Sequence, residues 1–297
     1  MIANSEAEYQ LNCELAAGVE LPGGVRRIAL AIEYNGTKFH GFQRQKSGVV
    51  TVQEQLEVAL SAVAAEPIKL VCAGRTDTGV HATSQIVHFD TRAVRPEKAW
   101  VLGARANMSR AISIRWAREV LPQFHARFSA RARTYRYVIC NSRTRPALMN
   151  DQMTWSRFHL EIERMRDGAK SLLGRHDFTS FRAAQCQANH PVRDILRLEL
   201  VEKADLIVME IQATAFLHHM VRNIVGVLMA VGNGEQEPEW VAEVLAARNR
   251  CKAGVTAPPY GLYLVAVGYP NTFGLPDTPP GPYFLPEPIA GLTNSPL

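Results

Sequence analysis

The order of apolar segments constrains this chain most: a strand-like run, a helix-like run, two strand-like runs, a helix and a closing strand, read twice over residues 26 to 269. Arg26 to Tyr34 alternates with period two and stops at the Asn35-Gly36 turn. Thr51 with Glu54 makes a capping box, behind which Val52, Leu56, Ala59, Leu60 and Val63 fall on one helical face. Strands are expected from Ile68 to Ala73 and from Gln85 to Asp90, then a helix entered near Pro96 and running to about Met108, then a strand from Ile112 to Val120. The second half gives a strand from Arg131 to Cys140, a helix from Phe158 to Leu173 closed by Gly174, and strands from Asp194 to Val201 and Leu206 to Ala213. A helix from Phe216 to Val231, an extra helix from Pro238 to near Arg248 and a strand from Leu262 to Tyr269 complete it. The expectation is an α+β protein of two ferredoxin-like βαββαβ halves with mainly antiparallel sheets.

The halves are expected over residues 25–123 and 124–270. Residues 1–24 lack periodicity and read as a flexible extension. From Pro270 onward eight of 28 residues are proline, so 271–297 reads as an extended tail lying on the body or free in solvent.

Charge narrows the partners. A net charge of +5 suits a polyanion, and the distribution says more than the sum. Between His125 and Arg145 stand six arginines and no acid, with Tyr135 and Tyr137 among them. Arginine forks fit phosphates and aromatic faces stack on unpaired bases, so this stretch reads as an RNA-contacting strand. The split βαβ order is also that of the RNA-recognition fold, so architecture and charge indicate the same class of partner. Five cysteines stand far apart, which fits a reduced, intracellular protein without metal knuckles. No export signal or membrane-spanning run is read. The most apolar later stretch, Phe216 to Val231, is broken by His218, His219 and Arg222.

The chemistry concentrates in Gly74-Arg75-Thr76-Asp77-Thr78-Gly79-Val80-His81-Ala82. Glycines bracket one carboxylate and let a ligand approach the main chain, while Arg75, two positions away, could hold that carboxylate ionised and aimed. A plain surface turn uses the same residue types. His218 and His219 suggest a metal, but neighbours on a helix point about 100° apart and chelate one ion poorly.

This run, preceded by Cys72-Ala73, resembles the active-site loop of the TruA-type tRNA pseudouridine synthases. Further blocks follow in family order: Val50 to Glu54, Phe124 to Ala130 leading into Tyr135-Arg136-Tyr137, Asp177 to Phe181, Phe216 to Asn223, and Gly261 to Leu264. The resemblance implies the pseudouridine synthase fold and isomerisation of uridine to pseudouridine at positions 38, 39 and 40 of the tRNA anticodon stem-loop. It makes Asp77 the nucleophile. Tyr135 aligns with the active-site tyrosine, Arg222 with a basic residue that pairs with the catalytic carboxylate, and Arg75 would grip RNA or prop the loop. It further implies base flipping, a homodimer sharing one tRNA, a cytoplasmic setting, and neither cofactor nor metal. Arg105, Arg110 and Arg118 are candidates for phosphate contacts. Thr78 stands where alanine is usual, and Phe42 where tryptophan is frequent. Two other readings compete: a catalytically silent RNA-binding protein on the same halves, and a metal-dependent nucleotide hydrolase, which lacks clustered ligands.

Overall fold

The computed structural model describes residues 20–285 apart from 185, 187 and 189. The expected extension therefore lies outside the described residues up to residue 19, as does the tail from residue 286. The chain divides into two compact units, the first running to Arg131 and taking in Leu264–Gly281, the second covering Ala132–Tyr263 and resuming at Pro282.

The first unit contains β1 (Arg26–Tyr34), α1 (Val52–Ala64), β2 (Val71–Cys72), β3 (His81–Thr91) and β4 (Ile112–Val120), and the helix expected before the last strand is present over residues 97–105, wound as a π-helix at Ala99–Gly103. The strands lie in the order β4-β1-β3, with β2 also on β3, and every pairing is antiparallel. This is the ferredoxin-like arrangement. Strand β2 is shorter than the sequence suggests because α1 takes up the backbone before it: Ile68 donates to Ser61 Oγ (2.9 Å) and Leu70 to Glu57 Oε1 (3.1 Å). Strand β3 is longer, so His81 to Ser84 are strand and the Asp77 loop is correspondingly tight.

Strand β1 departs from simple alternation, since Ile28 through Ile32 are all buried. Its small residues Ala29 and Ala31 join a cluster with Ala73, Ile86, Val120, Phe124, Ala126 and Tyr269. The Phe124 ring there meets Tyr269 and Phe273 at centroid separations of 5.1 and 5.2 Å. Bulkier side chains at 29 and 31 would crowd this packing. Phe273 and Leu275 come from the proline-rich segment, which lies on the first unit through Gly281; Trp116 Nε1 donates to Thr278 Oγ1 at 3.0 Å. Inside the unit, Arg27 forks onto Asp90 (2.7 and 2.8 Å) and donates to the Phe124 carbonyl (2.9 Å).

The second unit contains β5 (Ala132–Asn141), β6 (Thr154–Ser156), α2 (Ile162–Lys170), β7 (Gly174–Asp177), β8 (Val192–Lys203), β9 (Leu206–Ala213), α3 (Met220–Gly232) and α4 (Trp240–Ala247). Its strands follow the order β5-β9-β8-β7, all antiparallel, with β6 parallel on β5. The last strand, β10 (Leu262–Gly268), starts here, beside the Val138 N–H that donates to the Gly261 carbonyl (2.9 Å); from Leu264 it belongs to the first unit and borders β3. The α+β expectation holds. Helix α2 starts four residues later than its periodicity suggests because the Asn141 side chain holds the approach extended, donating to the Phe158 carbonyl (2.6 Å) and accepting from Leu160 N–H (2.9 Å).

The arginine-rich stretch is not one RNA-contacting strand. Its first part is a closed turn, His125 to Ser129 (Ser129 N–H to His125 O, 2.9 Å). On β5, Arg136 is buried and pairs with Glu210 directly opposite on β9 (2.8 Å), where Arg197 Nη1 also reaches that carboxylate (3.2 Å). Tyr137 is equally buried, its hydroxyl sharing a hydrogen bond with Thr154 (2.6 Å) and donating to the Pro258 carbonyl (2.7 Å). A fixed charge pair inside the sheet and a buried phenol are unavailable to phosphates or bases. Among the described residues no helix is long and apolar enough to cross a membrane.

Burial, reinforced by the positive fields of His125 and Arg27, pushes the His88 imidazole down to about 3. The neutral ring accepts the Ala126 N–H at Nδ1 (3.1 Å). An unfolded histidine titrates near 6.5, so below that pH the unfolded chain binds a proton that the folded one refuses. Stability should fall as pH drops from about 6.5 toward 3, by roughly 1.4 kcal/mol per unit from this residue. Urea unfolding at pH 7 and 4.5 checks it: His88→Asn should be less stable at pH 7 yet lose roughly 2–3 kcal/mol less than wild type on acidification.

Candidate active site

In the first unit Asp77 lies half-buried on the loop from β2 to β3, and several elements pin that loop. Tyr34, at the end of β1, shares a hydroxyl hydrogen bond with Thr76 (2.7 Å), and the Phe42 N–H donates to the Thr76 carbonyl (3.0 Å). The carbonyls of Gly41 and Phe42 in turn accept from Val52 and Gln53, the first N–H groups of α1 (3.3 and 2.9 Å). Thr51 caps the same helix by accepting the Glu54 N–H (3.4 Å). The helix N-terminus and the loop are thus joined through two residues. At the loop's start Gln85 brackets Gly74, donating to its carbonyl (2.6 Å) and accepting its N–H (3.3 Å).

Two glycines outside the loop are required by its backbone. A Cβ on Gly36 would sit 1.9 Å from the Val80 carbonyl oxygen, and one on Gly41 would sit 2.8 Å from that of Thr76. The Gly36 N–H also donates to His81 Nδ1 (3.1 Å). Arg75 is exposed, and no ion pair with it is among the contacts that hold the loop. Its charge reaches Cys72, whose thiol burial nevertheless pushes up to about 11. Of the two departures from the family pattern, Thr78 is exposed and Phe42 is buried against the Tyr34 ring (6.1 Å). An apolar ring suits that place.

In the second unit Tyr135 lies on β5 at 8% exposure, its ring edge-on to Phe216 (5.0 Å). Arg222 stands in the first turn of α3, where its Nε donates to the Ala257 carbonyl (2.8 Å) and its own carbonyl accepts the Ala257 N–H (3.1 Å). The next residue, buried Asn223, donates to the Phe181 carbonyl (2.7 Å) and accepts from Thr256 Oγ1 (2.6 Å) and Arg250 Nη2 (3.2 Å). The segment after α4, whose contacts the sequence leaves open, is therefore fastened onto α3. At Gly226 the Val255 carbonyl oxygen comes within 1.8 Å of where a Cβ would be.

His218 and His219 are not helix residues. Helix α3 begins at Met220, His219 has φ 61, and the His218 carbonyl is taken by Ala183 N–H (2.9 Å). Their rings lie 4.0 Å apart, so the 100° separation expected on a helix does not apply. Arg118 is ion-paired with Glu97 (3.2 Å), while Arg105 and Arg110 are exposed. The sequence passed over Tyr34, Gly36, Gly41, Gln85 and Asn223 as supports. The Asn35-Gly36 dipeptide was its one available signal, since the partners lie up to 45 positions away.

The site that the fold builds is a loop carrying one carboxylate, in a mixed α+β protein with mainly antiparallel pairing. A profile of the tRNA pseudouridine synthases matches residues 30–129 and 169–270, and the chain belongs to that family. It is 57% identical over 270 residues to tRNA pseudouridine synthase A of Pseudomonas aeruginosa, covering 91% of this chain and 95% of that protein. The enzymes of the same name from Alcanivorax borkumensis and Vibrio atlanticus are 53% and 52% identical, each over 88% of this chain and 98% of their own length.

Gly36→Ala tests whether the loop depends on close backbone approach. Chemical denaturation should show a loss of about 2 kcal/mol or more, the scale of overpacking a filled site, whereas Gly48→Ala, at an open position with φ +73, should lose about 1 kcal/mol from backbone strain alone.

Proposed function

We propose that this protein isomerises uridine to pseudouridine at positions 38, 39 and 40 of the anticodon stem-loop of tRNA, with Asp77 as the nucleophile. The observation that carries this reading is the pinned Asp77 loop in a chain of the tRNA pseudouridine synthase family. A nucleophile fixed before substrate arrives loses little freedom at the reacting step. The N1 to C1′ glycosidic bond breaks, the uracil turns, a C5 to C1′ bond forms, the C5 proton leaves and N1 gains one. No electrons are exchanged with a cofactor and no group is donated, so the chemistry calls for carboxylate, proton transfer and shape. A carboxylate nucleophile divides one hard bond exchange into easier steps.

Tyr135, Arg75 and Arg222 are assigned to substrate binding. The Tyr135 ring, held by Phe216, suits stacking on uracil, and the two guanidiniums suit RNA phosphate or carboxylate partners. A stacked uridine must flip out to be reached, at a cost of a few kcal/mol that is least in loops and at helix ends. Action at three neighbouring positions calls for recognition of tRNA shape and backbone. The working form is a homodimer in the cytoplasm.

The test is tritium release from tRNA labelled at uracil C5, with no cofactor added. Wild type should release label. Asp77→Asn should bind tRNA within about threefold of wild type but release label at least about a thousandfold more slowly, as loss of a nucleophile requires. Binding without release by wild type would make the chain a silent RNA-binding protein.

A further inference from the structure

Phe128 is a large apolar side chain left 54% exposed in the first unit. Its setting is built, not incidental. The ring stacks on the His125 imidazole at a centroid distance of 4.3 Å and 25° between planes, and the Arg127 guanidinium carbon lies 5.6 Å from its centroid. The turn that carries both is closed by paired hydrogen bonds, His125 N–H to Ser129 Oγ (3.0 Å) and Ser129 N–H to the His125 carbonyl (2.9 Å). His125 Nδ1 also accepts the N–H groups of Arg127 (3.2 Å) and Phe128 (3.1 Å), fixing the imidazole beneath the ring it supports. Ala126, between them, is fully buried and pegged twice, its N–H to His88 Nδ1 (3.1 Å) and its carbonyl by the Tyr269 hydroxyl (2.5 Å).

We propose that Phe128 and Arg127 form a stacking platform for an unpaired nucleobase of the RNA, beside the strand that feeds the Asp77 loop. This rests on the tRNA isomerase reading above. An exposed ring backed by an imidazole and carrying a guanidinium over it suits a base and its phosphate better than it suits a peptide or an acidic metabolite, because ring and guanidinium plane both offer stacking, with a cation and no enclosing pocket. Its place follows from pairing in the sheet: His125 lies 4.8 Å, ring to ring, from His88, which is opposite Val71 on β2, two residues before Ala73 and the loop. Charge agrees, since Arg127 and Arg75 both act on the Cys72 thiol at the end of β2. The rigid turn reduces what must be ordered on binding.

The test compares Phe128→Ala, Phe128→Leu, Phe128→Tyr and Phe128→Trp, by filter binding of unfractionated tRNA and by tritium-release kinetics. Alanine and leucine should weaken binding and raise KM by roughly 5- to 150-fold, the range for loss of one stacked base, with kcat within about threefold. Tyrosine and tryptophan should restore both, and tRNA should quench the added indole emission of Phe128→Trp. Wild-type binding by alanine, equal binding by leucine and tyrosine, or an unquenched indole would each overturn the platform. Should alanine fail to fold, leucine against tyrosine still decides. Wild type that binds tRNA but releases no label would overturn the isomerase reading alone, leaving the binding series to judge the platform.

Discussion

Thr76 is where the first unit turns secondary structure into a placed carboxylate. Its hydroxyl meets Tyr34 and its carbonyl takes the Phe42 N–H, while Gly41 and Phe42 hand their own carbonyls to the first turn of α1. Those helix N–H groups have no partner within the helix. The hydrogen bonds that close the helix therefore also locate the loop, and neither can be disturbed separately. Moving the loop would strand buried donors at about 1–3 kcal/mol each, which is why so short a segment can hold one geometry.

Buried charge plays a comparable part in register. Arg136 stands directly opposite Glu210 across β5 and β9, and Arg197 on β8 reaches the same carboxylate. Such a group adds little net stability compared with apolar packing. A slip of one residue, however, would bury charge without a partner and turn every side chain of the strand to the wrong face. The Arg27 fork on Asp90 also joins opposite residues, across β1 and β3, but Asp90 is exposed, so there only the arginine would be stranded by a slip.

Much of this was legible in the sequence. The strand and helix order survives nearly whole because period-two and period-3.6 patterns reflect which faces are buried, and that is a local property. The Asp77 loop was legible because glycine positions mark backbone constraints. Strands β6 and β7 were not expected, and three shifted boundaries share one cause. Helix α2 is shortened by Asn141, β2 by Ser61 and Glu57, and the start of α3 by Ala183, each a side chain or backbone group from elsewhere in the chain claiming hydrogen-bonding partners. Arg136 and Tyr137 looked available for RNA because composition does not reveal that a basic residue faces an acid on the next strand.

The fastening of the segment after α4 bears on how the second unit comes apart. Arg222 is tied to Ala257, 35 residues away, and Asn223 to Thr256 and Arg250. These contacts span fewer residues than the Arg136–Glu210 pair of the sheet, and Asn223 is buried, so the segment is part of the packed second unit and not a loose flap. Gly226 lets that segment lie flat on α3, and the Pro258 carbonyl next along it takes the Tyr137 hydroxyl of β5, so the segment is tied to helix and sheet alike. Because Ala257 holds Arg222 and its neighbour Pro258 holds Tyr137, the orientation of that guanidinium is coupled to the sheet, and one is not released without straining the other.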